Sequence, residues 1–320
     1  MSTLPTRPFG PTGDRTTVIG LGGAVLTHQS FADGVDTVRH AYKQGIRYFD
    51  TSPGYCDNRS QPVIGEGLAG IEDEELMIAT KVGYFTDPAD YRSPDAIRRQ
   101  IEDNLRLLQR DRVDVLQVHE ANMTCWWEDG ADSPWIRLKD EDEYTFAGAP
   151  VLQVLRQAKE EGLCRYIGIT GNVAHQMSRV LRDVEVDTFL VAFSYDLIVR
   201  DATREGFALA AEKDVALILG AIFYGGRLVQ VHEEWLQDSP EWMTPALRER
   251  FARLYALQRE CAIPLPQLSL RYVMGREGVS LILIGAKNPA EIEESIAAAL
   301  DGPLPAELQG QIDDLGMMIQ

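Results

Sequence analysis

Four side chains suited to acid–base chemistry stand at the ends of apolar runs or just beyond them. Asp50 closes "IRYFDT", Tyr55 lies in the turn "SPGYCDN", Lys81 closes "ELMIATK" and His119 closes "VDVLQVH". A carboxylate, a phenol, an ammonium and an imidazole gathered at one point can place a proton on one oxygen atom or remove it. A phenol of ordinary pKa, about 10, is a poor proton-transfer group at neutral pH, and a neighbouring lysine ammonium favours the phenolate. On this reading Asp50 holds Lys81 in place and charged, Lys81 lowers the pKa of Tyr55, and His119 donates a hydrogen bond to a substrate oxygen. Each residue alone has a plainer explanation: a satisfied ion pair, a core histidine, a packed loop aromatic. The four on neighbouring elements shift the balance towards catalysis.

The elements that position them repeat a simple alternation. Short, continuously apolar runs at 17–23, 46–51, 75–81, 113–119, 165–170, 188–194, 215–221 and 279–285 read as strands covered on both faces. Helical patterns separate them, over roughly 32–44, 61–69, 93–109, 149–161, 173–182, 202–213 and 288–300. In 93–109, Ser93 suits the N-cap, Pro94 the first turn, and Ile97, Ile101, Leu105 and Leu108 make one face. Gly45 and Gly162 suit helix ends just before strands. Eight such alternations over 1–320 predict one α/β domain, a (β/α)8 TIM barrel, with "TRPFGPTGDRTTVIG" as an N-terminal β-hairpin cap. Long aromatic segments follow strands 4 and 7, at 120–148 and 222–250. At the carboxyl end of a barrel such loops shape a substrate site. Trp126, Trp127 and Trp135 are candidates for a platform under a sugar or an aromatic aldehyde, with loop anchoring as the alternative.

Composition narrows the classes. The 320 residues are 45% hydrophobic and 25% charged, with a formal net charge of -18. That field repels nucleic acid and anionic membrane. Cys56, Cys125, Cys164 and Cys261 show no metal or disulfide spacing. The start has no signal-peptide pattern, and no apolar run reaches the ~20 residues of a bilayer span. The expectation is a cytoplasmic enzyme of small molecules, without a metal and without a nucleic-acid or membrane partner. Oligomeric state is not written in the sequence.

The ordered motifs resemble the aldo-keto reductase family. "IRYFDTSPGYCDNRSQPVIGEGL", "IATKVG", "VDVLQVHE", "RYIGIT" and "LIGAKNPAEIEES" match it in sequence order, and the "LPTRPFGPTG" opening with "GLGGAVL" is similar to its bacterial sugar-dehydrogenase branch. The resemblance implies a metal-free hydride transfer between NAD or NADP and a small carbonyl, alcohol or sugar. Tyr55 would be the general acid or base, supported by Asp50, Lys81 and His119. It also implies cofactor contacts at Gly22, at Thr170, Gly171 and Asn172 after strand 5, and at Ile222, Phe223, Tyr224, Gly225 and Gly226 after strand 7. Gly285, Lys287, Glu291 and Ser295 would surround the adenosine end. The family's Ser-Asn pair is here Thr170-Gly171, and its strand 6 glutamine falls on Leu190. Gln61 stands where the family has glutamate, which would loosen a supporting contact. Glu291 stands where NADP users carry Arg or Gln; a carboxylate there repels a 2′-phosphate and favours NAD. Two rivals remain: a nicotinamide-binding redox-sensing subunit, and a Schiff-base aldolase using Lys81.

Overall fold

The computed structural model describes residues 3–130 and 133–319. An antiparallel hairpin opens it, β1 (Thr6–Pro8) with β2 (Arg15–Thr17). Eight parallel strands follow: β3 (Ile19–Gly22), β4 (Tyr48–Asp50), β5 (Met77–Val82), β6 (Val113–Val118), β7 (Cys164–Gly171), β8 (Thr188–Ala192), β9 (Ala216–Gly220) and β10 (Val279–Gly285). They pair in chain order, and β10 closes the barrel on β3 with Ile282 opposite Ile19 and Gly285 opposite Gly22. All eight predicted strands are present, most of them with ends displaced by one or two residues; β10 has the predicted bounds and β7 is longer by one residue at each end.

Helices cover the outside of the barrel. They are α1 (Phe31–Lys43), α2 (Ser60–Gly67), α3 (Pro94–Leu108), α4 (Pro150–Glu160), α5 (Ala174–Asp183), α6 (Gly206–Glu212), α7 (Glu234–Gln237), α8 (Pro245–Cys261), α9 (Leu265–Met274), α10 (Pro289–Leu300) and α11 (Ala306–Asp313). In α3 the Ser93 hydroxyl accepts from the Ala96 amide, and Ile97, Ile101, Leu105 and Leu108 are buried as the periodicity requires. The sequence reading left α7, α8, α9 and α11 as connection. In α8 the signal was present: Thr244 caps, Pro245 follows, and Leu247, Phe251, Leu254 and Tyr255 form the buried face.

The hairpin seals the amino-terminal end of the barrel. Phe9 is fully buried with Tyr48, Met77, Ala79, Val115, Leu190, Ala216, Ile218, Leu281 and Leu283 inside the barrel. Gly10 has φ +56°, and a β-carbon there would stand 2.6 Å from the Ala216 nitrogen, so the turn that inserts Phe9 needs glycine. A second, larger core lies between the strands and the helices. With the bottom plugged, the open face is the one formed by the carboxyl ends of the strands.

Candidate active site

Side chains on a strand alternate between faces, so every second residue points into the barrel. Tyr48, Ala79 and Val115 fill the interior. One step further along the same inner rows come Asp50, Lys81 and Gln117. The register places Asp50 opposite Ala79, and Lys81 opposite Gln117. His119 follows β6, and the loop after β4 brings Tyr55 over the top.

The four expected residues meet. Lys81 Nζ donates to Asp50 Oδ1 at 2.6 Å and to the Thr51 carbonyl at 2.8 Å. It lies 4.9 Å from the centre of the Tyr55 ring. Tyr55 Oη is 3.3 Å from His119 Nε2. His119 Nδ1 is 2.7 Å from Ser52 Oγ. Gln117 Nε2 approaches Asp50 Oδ2 at 3.4 Å.

Burial sets the protonation states. It raises the Asp50 pKa and lowers that of Lys81, while their mutual attraction opposes both shifts. His119 is held well below the ordinary 6.5, first by burial and then by the Lys81 charge, so it is neutral. Tyr55 is raised well above 10 by burial, with Asp50, Tyr84 and Glu120 adding to the effect. This corrects the expectation that Lys81 would lower it. The ammonium faces Asp50 and the flat of the ring, and desolvation of the phenolate outweighs its pull. Tyr55 is therefore a proton-bearing phenol here.

Several side chains that sequence reasoning passed over hold this group. Asn104 Nδ2 donates to the Lys81 carbonyl at 2.8 Å. Gln100 clamps Gly83 from both sides, taking its N–H at 2.7 Å and giving to its carbonyl at 2.8 Å. Gln61 does not loosen anything: its amide donates to Thr80 Oγ1 at 2.9 Å, with both residues buried. Tyr84 packs 4.8 Å from the His119 ring and 5.3 Å from Trp135, centre to centre. The polar residue Gln117, set inside the apolar run of β6, is the available sequence signal.

The tryptophans divide. Trp126 and Trp127 are packed inside the loop, with their indole N–H groups donating at 2.8 Å to the carbonyls of His119 and Ala121. They anchor the loop, which corrects their assignment as a platform. Trp135 is 53% exposed. With Tyr84, His119 and Glu120 it borders a small cavity beside the tetrad.

The expected cofactor residues divide as well. Ile222 is fully buried, so its side chain offers no open surface to a nicotinamide ring, and the Tyr224 ring packs against Trp242 and Phe251. Phe223 stays half-buried, and at Gly226 the backbone is open, with nothing within 4 Å of a β-carbon position. Gly22 is half-buried at the end of β3. Thr170 is buried, and a β-carbon at Gly171 would lie 2.2 Å from Asn122 Oδ1, so no side chain can stand there. Asn172 Nδ2 donates to Glu120 Oε1 at 2.6 Å. Leu190 lies in the barrel interior, not at the rim. At the start of α10, Asn288 Oδ1 accepts from the Glu291 amide at 3.1 Å, and Glu291 Oε2 accepts from the Lys287 amide at 2.9 Å. Ser295 Oγ is turned back onto the Glu291 carbonyl at 2.9 Å, within its own helix. Gly285 is exposed, and Lys287 makes no ion pair among the described residues. Open backbone at Gly226, an exposed Gly285 and, between β10 and α10, a lysine with no ion pair among the described residues fit an extended anionic dinucleotide.

The chain is 29% identical to L-galactose dehydrogenase of Arabidopsis thaliana, over 94% of this chain and 90% of that protein. It is 24% identical to D-threo-aldose 1-dehydrogenase of a Pseudomonas species, over 85% and 84%. Its fold is similar to that of an aldo-keto reductase from Bacillus halodurans in the holo form, with TM-score 0.76, 21% identity, and 99% and 97% of the two chains covered. Among the described residues no helix is long and apolar enough to cross a membrane, and no His/Cys/Asp/Glu group could hold a metal ion. The sequence matches the aldo/keto reductase family over residues 18–316, and the chain belongs to that family.

Proposed function

We propose that this enzyme, an NAD(P)-dependent oxidoreductase of sugars or aldehydes, acts on C1 of an aldose, with Tyr55 moving the proton. The observation that carries the reading is the part-buried contact of Tyr55 Oη with His119 Nε2 at 3.3 Å, together with the buried Lys81–Asp50 pair at 2.6 Å. A nicotinamide, when bound, would supply or accept the hydride. Tyr55, neutral and desolvated, gives its proton to the oxygen of a reduced carbonyl or takes one from a sugar hydroxyl. His119, also neutral, holds the Tyr55 hydroxyl in line. Lys81 stabilises the phenolate that forms when the proton leaves, and Asp50 keeps Lys81 charged and still. The sugar-dehydrogenase names of two relatives support the choice of an aldose.

Glu291 supports NAD over NADP. Its carboxylate is tied to the first turn of α10 by Lys287 and Asn288. A 2′-phosphate would have to displace it or lie against its charge, whereas a ribose hydroxyl can donate to it.

A Schiff base on Lys81 is disfavoured, because its side chain is 1% exposed and its Nζ is bonded to Asp50 and the Thr51 carbonyl. The test has two parts. NADH and NADPH are titrated separately against tryptophan fluorescence, with NADH expected to bind more tightly. Turnover of an aldose panel is then compared with Tyr55→Phe, which should lose roughly 10²–10⁴-fold in kcat while keeping cofactor affinity. Near-wild-type turnover by Tyr55→Phe would overturn the assignment, and binding of neither cofactor would overturn the function.

A further inference from the structure

We propose that Glu120 selects a substrate carrying a hydroxyl on the carbon next to the reacting one, by accepting that hydroxyl's hydrogen. The inference rests on the oxidoreductase reading above and adds the group that the site reads.

Glu120 follows His119 directly, at the end of β6, with φ +52°. That left-handed backbone is costly for a residue with a side chain, and it turns the chain immediately after the imidazole. The Glu120 carbonyl accepts from the Met123 amide at 2.9 Å and closes the turn. One carboxylate oxygen, Oε1, is held by Asn172 Nδ2 at 2.6 Å. The other, Oε2, is shielded from solvent and has no hydrogen-bond partner among the described residues.

Among the described residues no charged side chain is free to replace a bound donor. Lys81 is committed to Asp50 and Thr51. Arg137 attracts Glu120 only from a distance and forms no ion pair with it. Burial pushes the Glu120 pKa up, as expected of a carboxylate in want of a donor. Glu120 and His119 border the same cavity, with Tyr84 and Trp135 across it. A hydroxyl donor bound there would satisfy Oε2 and leave Asn172 in place. A buried acceptor of this kind discriminates strongly against an analogue that lacks the donor, because its lone pair then stays desolvated and unpaired.

The experiment compares kcat/KM for an aldose and for its 2-deoxy analogue, in the wild-type protein and in Glu120→Gln. Glutamine keeps an acceptor for Asn172 and replaces the free oxygen with an N–H donor. The wild type is expected to prefer the aldose by at least tenfold, and Glu120→Gln to reduce that preference at least tenfold, mainly through KM. Glu120→Ala gives the same readout where glutamine misfolds. An unchanged preference in folded variants, or no preference in the wild type, overturns the role of Glu120. Absence of turnover on aldoses and simple aldehydes alike in the wild type overturns the oxidoreductase reading, and this inference with it.

Discussion

Ser52 Oγ stands 2.7 Å from His119 Nδ1 and 2.8 Å from the Pro53 carbonyl oxygen, and it has one proton for the two. The order that gives every group a partner runs from Nδ1–H to Ser52, and from the Ser52 hydroxyl to Pro53. It leaves the Nε2 lone pair to accept the Tyr55 hydroxyl. Ser52 is then a positioning residue for the imidazole. Ser52→Ala is expected to lower kcat about tenfold and to move the His119 proton towards Nε2, as nitrogen-15 NMR of labelled histidine would show. An unchanged tautomer would mean that Ser52 only fills space.

Glu291 is open to a charge test that leaves the helix intact. Gln serves as well as Glu at the third position of a capping box. Glu291→Gln should therefore keep the melting temperature and shift relative affinity towards NADPH, by about tenfold for one removed like charge. Fluorescence titration with both reduced cofactors reads this. A fixed ratio would place the 2′-phosphate elsewhere.

Asp196 supplies a pH signature away from the chemistry. It is fully buried just beyond β8. Oδ1 accepts from the Ile198 and Val199 amides at 2.7 and 2.9 Å, while Oδ2 has no hydrogen-bond partner among the described residues. Burial raises its pKa from 3.8 to about 7. The folded protein thus binds a proton there that the unfolded chain has released between those values. The stability from Asp196 is fully present below the lower value and is lost as pH rises through about 7. His119 has the opposite sign: its folded pKa is depressed, so its contribution is present above 6.5 and is lost as pH falls below that. Denaturant unfolding from pH 5 to 8 should show a loss with rising pH, up to about 1.4 kcal/mol per unit from this single site, that Asp196→Asn abolishes. An identical slope in the variant would mean that Asp196 is ionised throughout.

The two kinds of tryptophan predict different phenotypes. Trp127→Phe removes a buried N–H bond to Ala121 and should cost about 1–2 kcal/mol in unfolding free energy. Trp135→Ala should leave stability within about 0.5 kcal/mol and raise KM for the aldose. A large stability loss at Trp135 would make it another loop anchor.

Much of this was legible in advance because barrel strands carry their own signature. A run such as "VDVLQVH" is largely apolar on both faces, and of its polar exceptions Gln117 and His119 mark the inner row near the mouth, whereas Asp114 faces outward to Arg165. The tetrad followed from strand order alone. Helix α8 has a plain cap and apolar spacing, but it begins inside the aromatic stretch 222–250, whose composition reads as loop. Trp126 and Trp135 look alike in sequence. Only the path of the loop, pinned by the Trp126 indole on the His119 carbonyl, buries one and exposes the other.

By itself the sequence determined the barrel, the hairpin plug and which four side chains converge, since these depend on local periodicity and chain order. Tertiary structure alone decided the state of those side chains. Burial keeps the proton on Tyr55 against the pull of Lys81, neutralises His119, and leaves one oxygen of Glu120 unpaired. Desolvation depends on every neighbour in space, and no spacing along the chain encodes it.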